Sequence, residues 1–392
     1  MISLRSSPYV SLIIFAGAGI VTALQQWLLT EPDALYTHYN NFVIFKNAFF
    51  HLLQGTNLYI PYPEQQADLY KYSPTFAMAM APFAILPDLA GLLAWNLLNA
   101  CVFWAGLRAV SPSVRILNSM GALCLIELIT SLQNVQSNGL IAGLLLLAFA
   151  ENESNRPARA ALYVNITAFI KLFGLAAFVL WFFSKDKWKF FLYAAVSAAA
   201  LAAMPLLLIS PTELLQQYRN WWELLKWDYA GSLGFSVAGW LASWFQLNPP
   251  KWIITLAGTL LLLMPLYRKA CYVMPLFRLF YLSALLLWMV LFNHKAESST
   301  FIVAVAGVAL WYFNQRRTAL NTILVVLVVL FTILSPVDLY PESLRKEVFV
   351  PFVVKAVPCL LVWFKIILDL LRLSYSKSDE ASGNRSATSV VH

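Results

Sequence analysis

Charge is what this chain has least of. Only 12% of its 392 residues are Asp, Glu, Lys or Arg, against about 25% in an ordinary soluble domain. Apolar residues make up 60%, which excludes a water-soluble globular protein. Cysteine is scarce as well. The four cysteines (Cys101, Cys124, Cys271 and Cys359) all lie inside apolar segments, with no metal-ligand spacing and no pattern of a disulfide framework. The chain has no P-loop, no dinucleotide fingerprint, no cluster of acids of the kind that holds a metal, and no Ser/His/Asp arrangement. Neither a cofactor nor a metal is therefore expected. The net charge of +8 does not signal nucleic acid, because Lys and Arg come in short clusters between apolar runs, where they orient helices.

Apolar runs of about 20 residues recur along the chain, the length needed to cross a bilayer as a helix. The first, Tyr9–Leu29, is too long for a signal-peptide core and is expected to be a retained helix. Alternating basic clusters predict a topology with both termini in the cytoplasm. Runs at 9–29, 88–107, 116–132, 139–150, 158–170, 172–183, 190–209, 251–267, 274–292, 300–313, 319–334 and 350–371 give about 12 crossings. Two shorter pieces, 74–86 and 233–245, are expected to be half-inserted. Outer loops fall at 30–73 and 210–232. Residues 1–373 read as a single integral-membrane domain, and 374–392 as a disordered cytoplasmic tail. The predicted fold class is thus an all-α polytopic membrane protein.

On this topology four polar constellations fall on the outer side, and polar groups at membrane depth usually line a cavity. The first outer loop carries an amphipathic run, Tyr39–Leu53, with Phe42, Phe45, Phe49, Phe50 and Leu53 at helical spacing and Gly55 as its stop. This reads as a helix lying in the membrane interface. Asp33, just past the first helix, suits a general base near the headgroup layer. A plain solvated loop acid is the other reading. Lys171 interrupts "NITAFIKLFGLAAF" at the apex of a short helical hairpin. It reads either as the partner of a lipid phosphate or as a lysine snorkelling at a helix end. "FNHKAESSTF" offers His294 as a base and Glu297 to orient it, or else is a polar loop. Glu127 is a lone acid in an apolar helix. The tryptophans at 221, 222, 227, 240 and 244 serve as interface anchors or as a stacking surface for a sugar.

Several stretches together resemble glycosyltransferase family 87. They are "GTNLYIPYPEQQADLYKYSPTFAMAMAPFAILPDLAGLLAWNLLN", "LQNVQSNGLIAGLLLLA", "RAALYVNITAFIKLFGLAAFVLWFF", "GFSVAGWLASW" and "NHKAESSTFIVAVAG". The resemblance spans most of residues 30–315 and rests on the order and spacing of these elements. It implies the GT-C membrane fold and a mannosyl- or related hexosyltransferase that uses a polyprenyl-phosphate sugar. It also implies action on a glycan or glycolipid acceptor at the outer face of a bacterial cytoplasmic membrane. Lys171 would meet the donor phosphate. Gln136, Asn138, Asn40, Asn41, Tyr72 and Ser236 would line the sugar site. The family's acid at the start of the interfacial helix would fall near Asn40–Asn41. The base role therefore passes to Asp33, or to His294 with Glu297. A transporter or flippase of lipid-linked sugars, or a non-catalytic envelope assembly protein, are the competing classes.

Overall fold

The structure, a computed structural model, describes residues 7–31, 34–229, 233–336 and 339–374. The described residues form helices joined by turns and loops, without a strand. Backbone contacts divide the chain into two compact units, Met1–Ser232 and Leu233–His392.

The first unit opens with α1 (Tyr9–Leu29) and α2 (Asn40–Leu53), followed by the short α3 (Pro74–Ala79) and α4 (Ala81–Ala84). Then come α5 (Asp88–Val110), α6 (Val114–Gln133), α7 (Asn138–Glu153) and α8 (Pro157–Ile170). A 3-10 stretch, Leu172–Phe183, leads to α9 (Lys187–Ala203) and α10 (Pro211–Tyr229). The core of the unit is α5, packed on α1 and α7, with α8 against α7 and α9 against α8. Small residues set these distances, as they do wherever helices associate without a hydrophobic drive. A Cβ on Gly143 would lie 2.4 Å from the Val102 carbonyl oxygen, and one on Gly106 would lie 2.6 Å from that of Gly143. The backbones of α5 and α7 therefore touch. Between α8 and α9, Ala160, Ala161 and Ala194 close around Phe190.

The second unit holds α11 (Val237–Phe245), α12 (Lys251–Leu263), α13 (Pro275–Leu291), α14 (Phe301–Phe313), α15 (Ala319–Val328), the one-turn α16 (Glu342–Leu344) and α17 (Ala356–Arg372). α13 pairs with α14, and α17 packs on α13 and α15. Buried polar atoms pin α17: the Trp363 indole donates to the Ala284 carbonyl at 3.1 Å. The Trp311 indole donates to the Asp369 carboxylate at 3.0 Å.

Four helical segments among the described residues are long and apolar enough to cross a membrane: Tyr9–Leu29, Asp88–Val110, Val114–Gln133 and Lys187–Leu207. Shorter apolar helices accompany them at Leu172–Phe183, Lys251–Tyr267, Pro275–Leu291, Ser298–Phe313 and Ala319–Ile333. The chain is a helical membrane protein. An expected total of about twelve crossings requires the shorter helices to span as well. One of them gains reach from its geometry. A 3-10 helix rises about 2.0 Å per residue, so the 12 residues of Leu172–Phe183 extend roughly 24 Å.

Some expected elements differ. Most of the stretch read as outer loop 210–232 is the helix α10. It starts with Ser210 and Glu213, whose side chains and backbone N–H groups bond reciprocally at 3.3 and 2.8 Å. This capping box is the local signal for a helix start. Residues 350–355 are turns, and the last helix begins at Ala356. α2 forms as expected and ends at Gly55 (φ 70°). On its apolar side Phe42, Phe45 and Phe49 are buried, with α3 and α4 packed on the helix, while Leu53 at its end is exposed. The short helices thus cover much of the surface expected to lie in the membrane interface.

Candidate active site

The amide-rich stretch 131–140 spans the end of α6, the turn 134–137 and the start of α7. α6 closes with a Schellman cap: the Gln136 N–H donates to the Ser131 carbonyl at 3.1 Å and the Val135 N–H to that of Leu132 at 3.0 Å. The cap requires a left-handed residue, and Val135 occupies it at φ 52°. A β-branched residue there is a true outlier, at a cost of order 1–3 kcal/mol. Gln136 follows directly, and Asn138 opens α7; both side chains are buried.

Lys171 sits at a break in the chain. α8 ends at Ile170, and Lys171 is extended (φ −137°, ψ 127°) before the 3-10 stretch begins. Gly174 lets the chain fold back on α8: a Cβ there would lie 2.7 Å from the Ala168 nitrogen. The half-buried Lys171 side chain does not simply snorkel to water. Its ammonium donates to Asn138 Oδ1 at 2.9 Å and to Gln136 Oε1 at 3.2 Å. Tyr72 completes the group. Its hydroxyl donates to Gln136 Oε1 at 3.1 Å, and the centre of its ring lies 5.8 Å from the ammonium, within cation–π range.

Tyr72 is held from three sides. Its ring packs against Phe45 and Phe76, both at 5.0 Å between centroids. Its carbonyl accepts from the Tyr59 hydroxyl at 3.0 Å. The next residue, Ser73, caps α3 and donates its hydroxyl to the Phe169 carbonyl, two residues before Lys171. α10 covers the same loop. The Trp221 indole donates to the Lys71 carbonyl at 3.1 Å, and Gln217 bonds the backbone at Thr56 and Leu58. Nearby, His51 stacks on Tyr62 at 3.9 Å and meets Gln65 at 2.9 Å. Burial lowers its pKa, with the Gln65 contact opposing.

Asn40 and Asn41 lie at the start of α2. Asn41 donates to the Asn134 carbonyl at 2.7 Å, tying α2 to the amide turn. Asn40 accepts from the Ala67 N–H at 3.0 Å. Asp33 lies outside the described residues. The remaining candidates belong to the second unit, where two loops meet. The Phe235 N–H donates to the Ala296 carbonyl at 2.8 Å, and a Cβ on Gly234 would lie 2.7 Å from the His294 carbonyl oxygen. Ser236 is buried. It caps α11, accepting from the Gly239 N–H at 3.3 Å and donating to the Leu233 carbonyl at 2.6 Å. Glu297 caps the turn Ser298–Thr300 in a reciprocal capping box. His294 is half-buried in this loop.

The sequence reading did not single out Ser73 or the Val135 backbone. Ser-Pro before an apolar run is a legible helix start, so Ser73 could have been found. A left-handed valine has no sequence signal. Compared with known proteins, the chain matches the family model of glycosyltransferase family 87 over residues 70–336, a span that contains Tyr72, the amide turn, Lys171, Ser236 and the 293–300 loop. A search of curated proteins gave no match.

Proposed function

The chain belongs to glycosyltransferase family 87 and is a membrane glycosyltransferase, and from that premise we propose that it moves a hexose, mannose first, from a polyprenyl-phosphate donor to an envelope glycan or glycolipid. The reaction runs at the outer face of a bacterial cytoplasmic membrane. The observation that carries the reading is the Lys171 ammonium, held between Gln136 and Asn138 under the ring of Tyr72.

A single ammonium suits the monoester phosphate of a lipid-linked sugar. As the bond between the anomeric carbon and the phosphate oxygen breaks, charge grows on the phosphate, and a fixed cation stabilises that charge more than the ground state. The amide groups of Gln136 and Asn138 bind hydroxyls of the transferring sugar, with Tyr72, Asn40 and Asn41 beside them; Ser236, expected from the family resemblance at the sugar site, lies in the second unit as the cap of α11. The acceptor hydroxyl attacks the anomeric carbon and passes its proton to a base. Asp33 is the first candidate for that base and His294 the second.

The test is a transfer assay in lipid with polyprenyl-phosphate mannose and a membrane-extract acceptor. Wild type is compared with Asp33→Asn, Lys171→Ala and His294→Ala. Transfer lost with Lys171→Ala and with one of the other two supports the reading and names the base. Transfer unchanged by Lys171→Ala overturns it. Transport of lipid-linked sugar without transfer would favour the transporter class.

A further inference from the structure

We infer that Trp95, Asn96 and Asn99, which form one ridge of α5, are positioning residues for the sugar-transfer site. The inference rests on the proposed role of the Lys171–Gln136–Asn138 group.

α5 is a long apolar helix, and three side chains on one of its faces carry polar groups into the protein interior. All three are fully buried or nearly so. Each reaches the backbone of the α6–α7 turn, at three successive stations. The Asn96 amide donates to the Leu132 carbonyl at 3.2 Å, at the end of α6. The Trp95 indole donates to the Val135 carbonyl at 3.3 Å, at the apex. The Asn99 Oδ1 accepts from the Leu140 N–H at 2.9 Å, in the first turn of α7. Ser137, the residue at the N-cap of α7, makes no side-chain cap, so Asn99 caps that helix from a neighbouring one.

Packing alone would not select this set. Leu at the two asparagine positions would fill much the same space without desolvating an amide. Bonds to main-chain atoms control main-chain conformation, and the residue at the apex needs that control. The same Schellman cap closes α2 at Gly55 and α7 at Asn155, residues that adopt the left-handed region readily, and recurs with a left-handed valine at Val353, in the turn before α17. At the site the position is held by a buried valine. If the peptide after Val135 turned over, Gln136 would swing away from Lys171 and Tyr72. The Trp95 ring also touches Phe45, Phe76 and Phe83, so the clamp rests on the aromatic group that seats Tyr72.

Trp95→Phe keeps an aromatic ring against these neighbours but removes the N–H together with part of the buried volume. If Trp95 acts through Gln136, the two positions are coupled. In lipid nanodiscs, Trp95→Phe is expected to lower kcat about three- to tenfold, the range of one hydrogen bond, with a fall in melting temperature from the lost volume that is the same in the wild-type and Gln136→Ala backgrounds. In a Gln136→Ala background the same substitution is expected to change kcat by less than about twofold. An equal loss of kcat in both backgrounds, or no loss in either, overturns the inference. Hydrogen exchange tests it without turnover: Trp95→Phe and Asn99→Ala should speed exchange in the 131–141 peptide about tenfold and leave the other helices unchanged. An unchanged 131–141 peptide also overturns it. Titration with polyprenyl monophosphate separates the two proposals. If Lys171→Ala binds this probe as well as wild type does, the transfer reading fails, whatever the clamp does.

Discussion

The ammonium of Lys171 donates to the side-chain oxygen of Asn138 at 2.9 Å, joining a break after α8 to the first residue of α7. A lysine placed in an apolar segment costs roughly 2.5–3.5 kcal/mol on insertion scales. The amides answer part of that cost and fix the charge in one place. A fixed charge is what a departing phosphate requires.

Lys171→Ala should lower transfer by about a hundredfold or more, the order found when a preorganised electrostatic partner of the transition state is removed. Lys171→Arg should recover only part of it, since a planar guanidinium cannot replace a compact ammonium between two amide oxygens. Steady-state kinetics of the three proteins check both statements.

Tyr72→Phe keeps the ring and its contacts with Phe45 and Phe76 but removes the donor to Gln136. The expected loss is about 0.5–1.5 kcal/mol, seen as a weaker effect on donor use than Lys171→Ala gives. Thermal stability should change little. A melting curve beside the kinetics separates the two effects.

His51 gives a pH dependence in stability. Its pKa is lowered from 6.5 by burial, so the unfolded chain binds the proton more readily than the folded one. Stability is therefore full above about pH 6.5 and falls as pH drops through the window below it. The expected result is a fall in melting temperature on acidification that His51→Gln reduces. Equal slopes for both proteins would reject it.

Ser210→Ala removes the hydroxyl that caps α10 and half of its exchange with Glu213. Lost N-caps cost about 0.5–2 kcal/mol. Because Gln217 and Trp221 of α10 hold the loop before Tyr72, faster exchange or proteolysis at 55–72 should accompany the loss. Cleavage confined to α10 itself would show that the helix does not brace the loop.

Gly143→Val puts a branched side chain where even a Cβ comes within 2.4 Å of the Val102 carbonyl. α5 and α7 must then separate, and overpacking of this kind costs roughly 1–3 kcal/mol or more. The yield of folded protein, measured by size exclusion in detergent, should drop sharply; a normal yield would contradict the backbone contact.

The sequence alone determined the helical class, the membrane setting and most helix positions, because hydrophobic length and basic clusters are local properties. It also marked Lys171, Gln136, Asn138 and Tyr72, each as a polar residue in an apolar or aromatic setting. The capping box at Ser210 was equally local, yet α10 lay inside a stretch read as loop, since its low overall hydropathy hid its amphipathic period. What only the tertiary structure decided was who meets whom. Residues 72, 136, 138 and 171 lie on separate elements, and nothing in their spacing states that one ammonium serves three of them. Nor could the sequence show that Ser236 and Glu297 are occupied as helix caps. It could not show that Val135 is left-handed either, or that the asparagines of α5 reach across to the α6–α7 turn. Hydrogen bonds between distant segments depend on how helix backbones approach, and that approach is set by glycines whose partners are known only once the helices are packed.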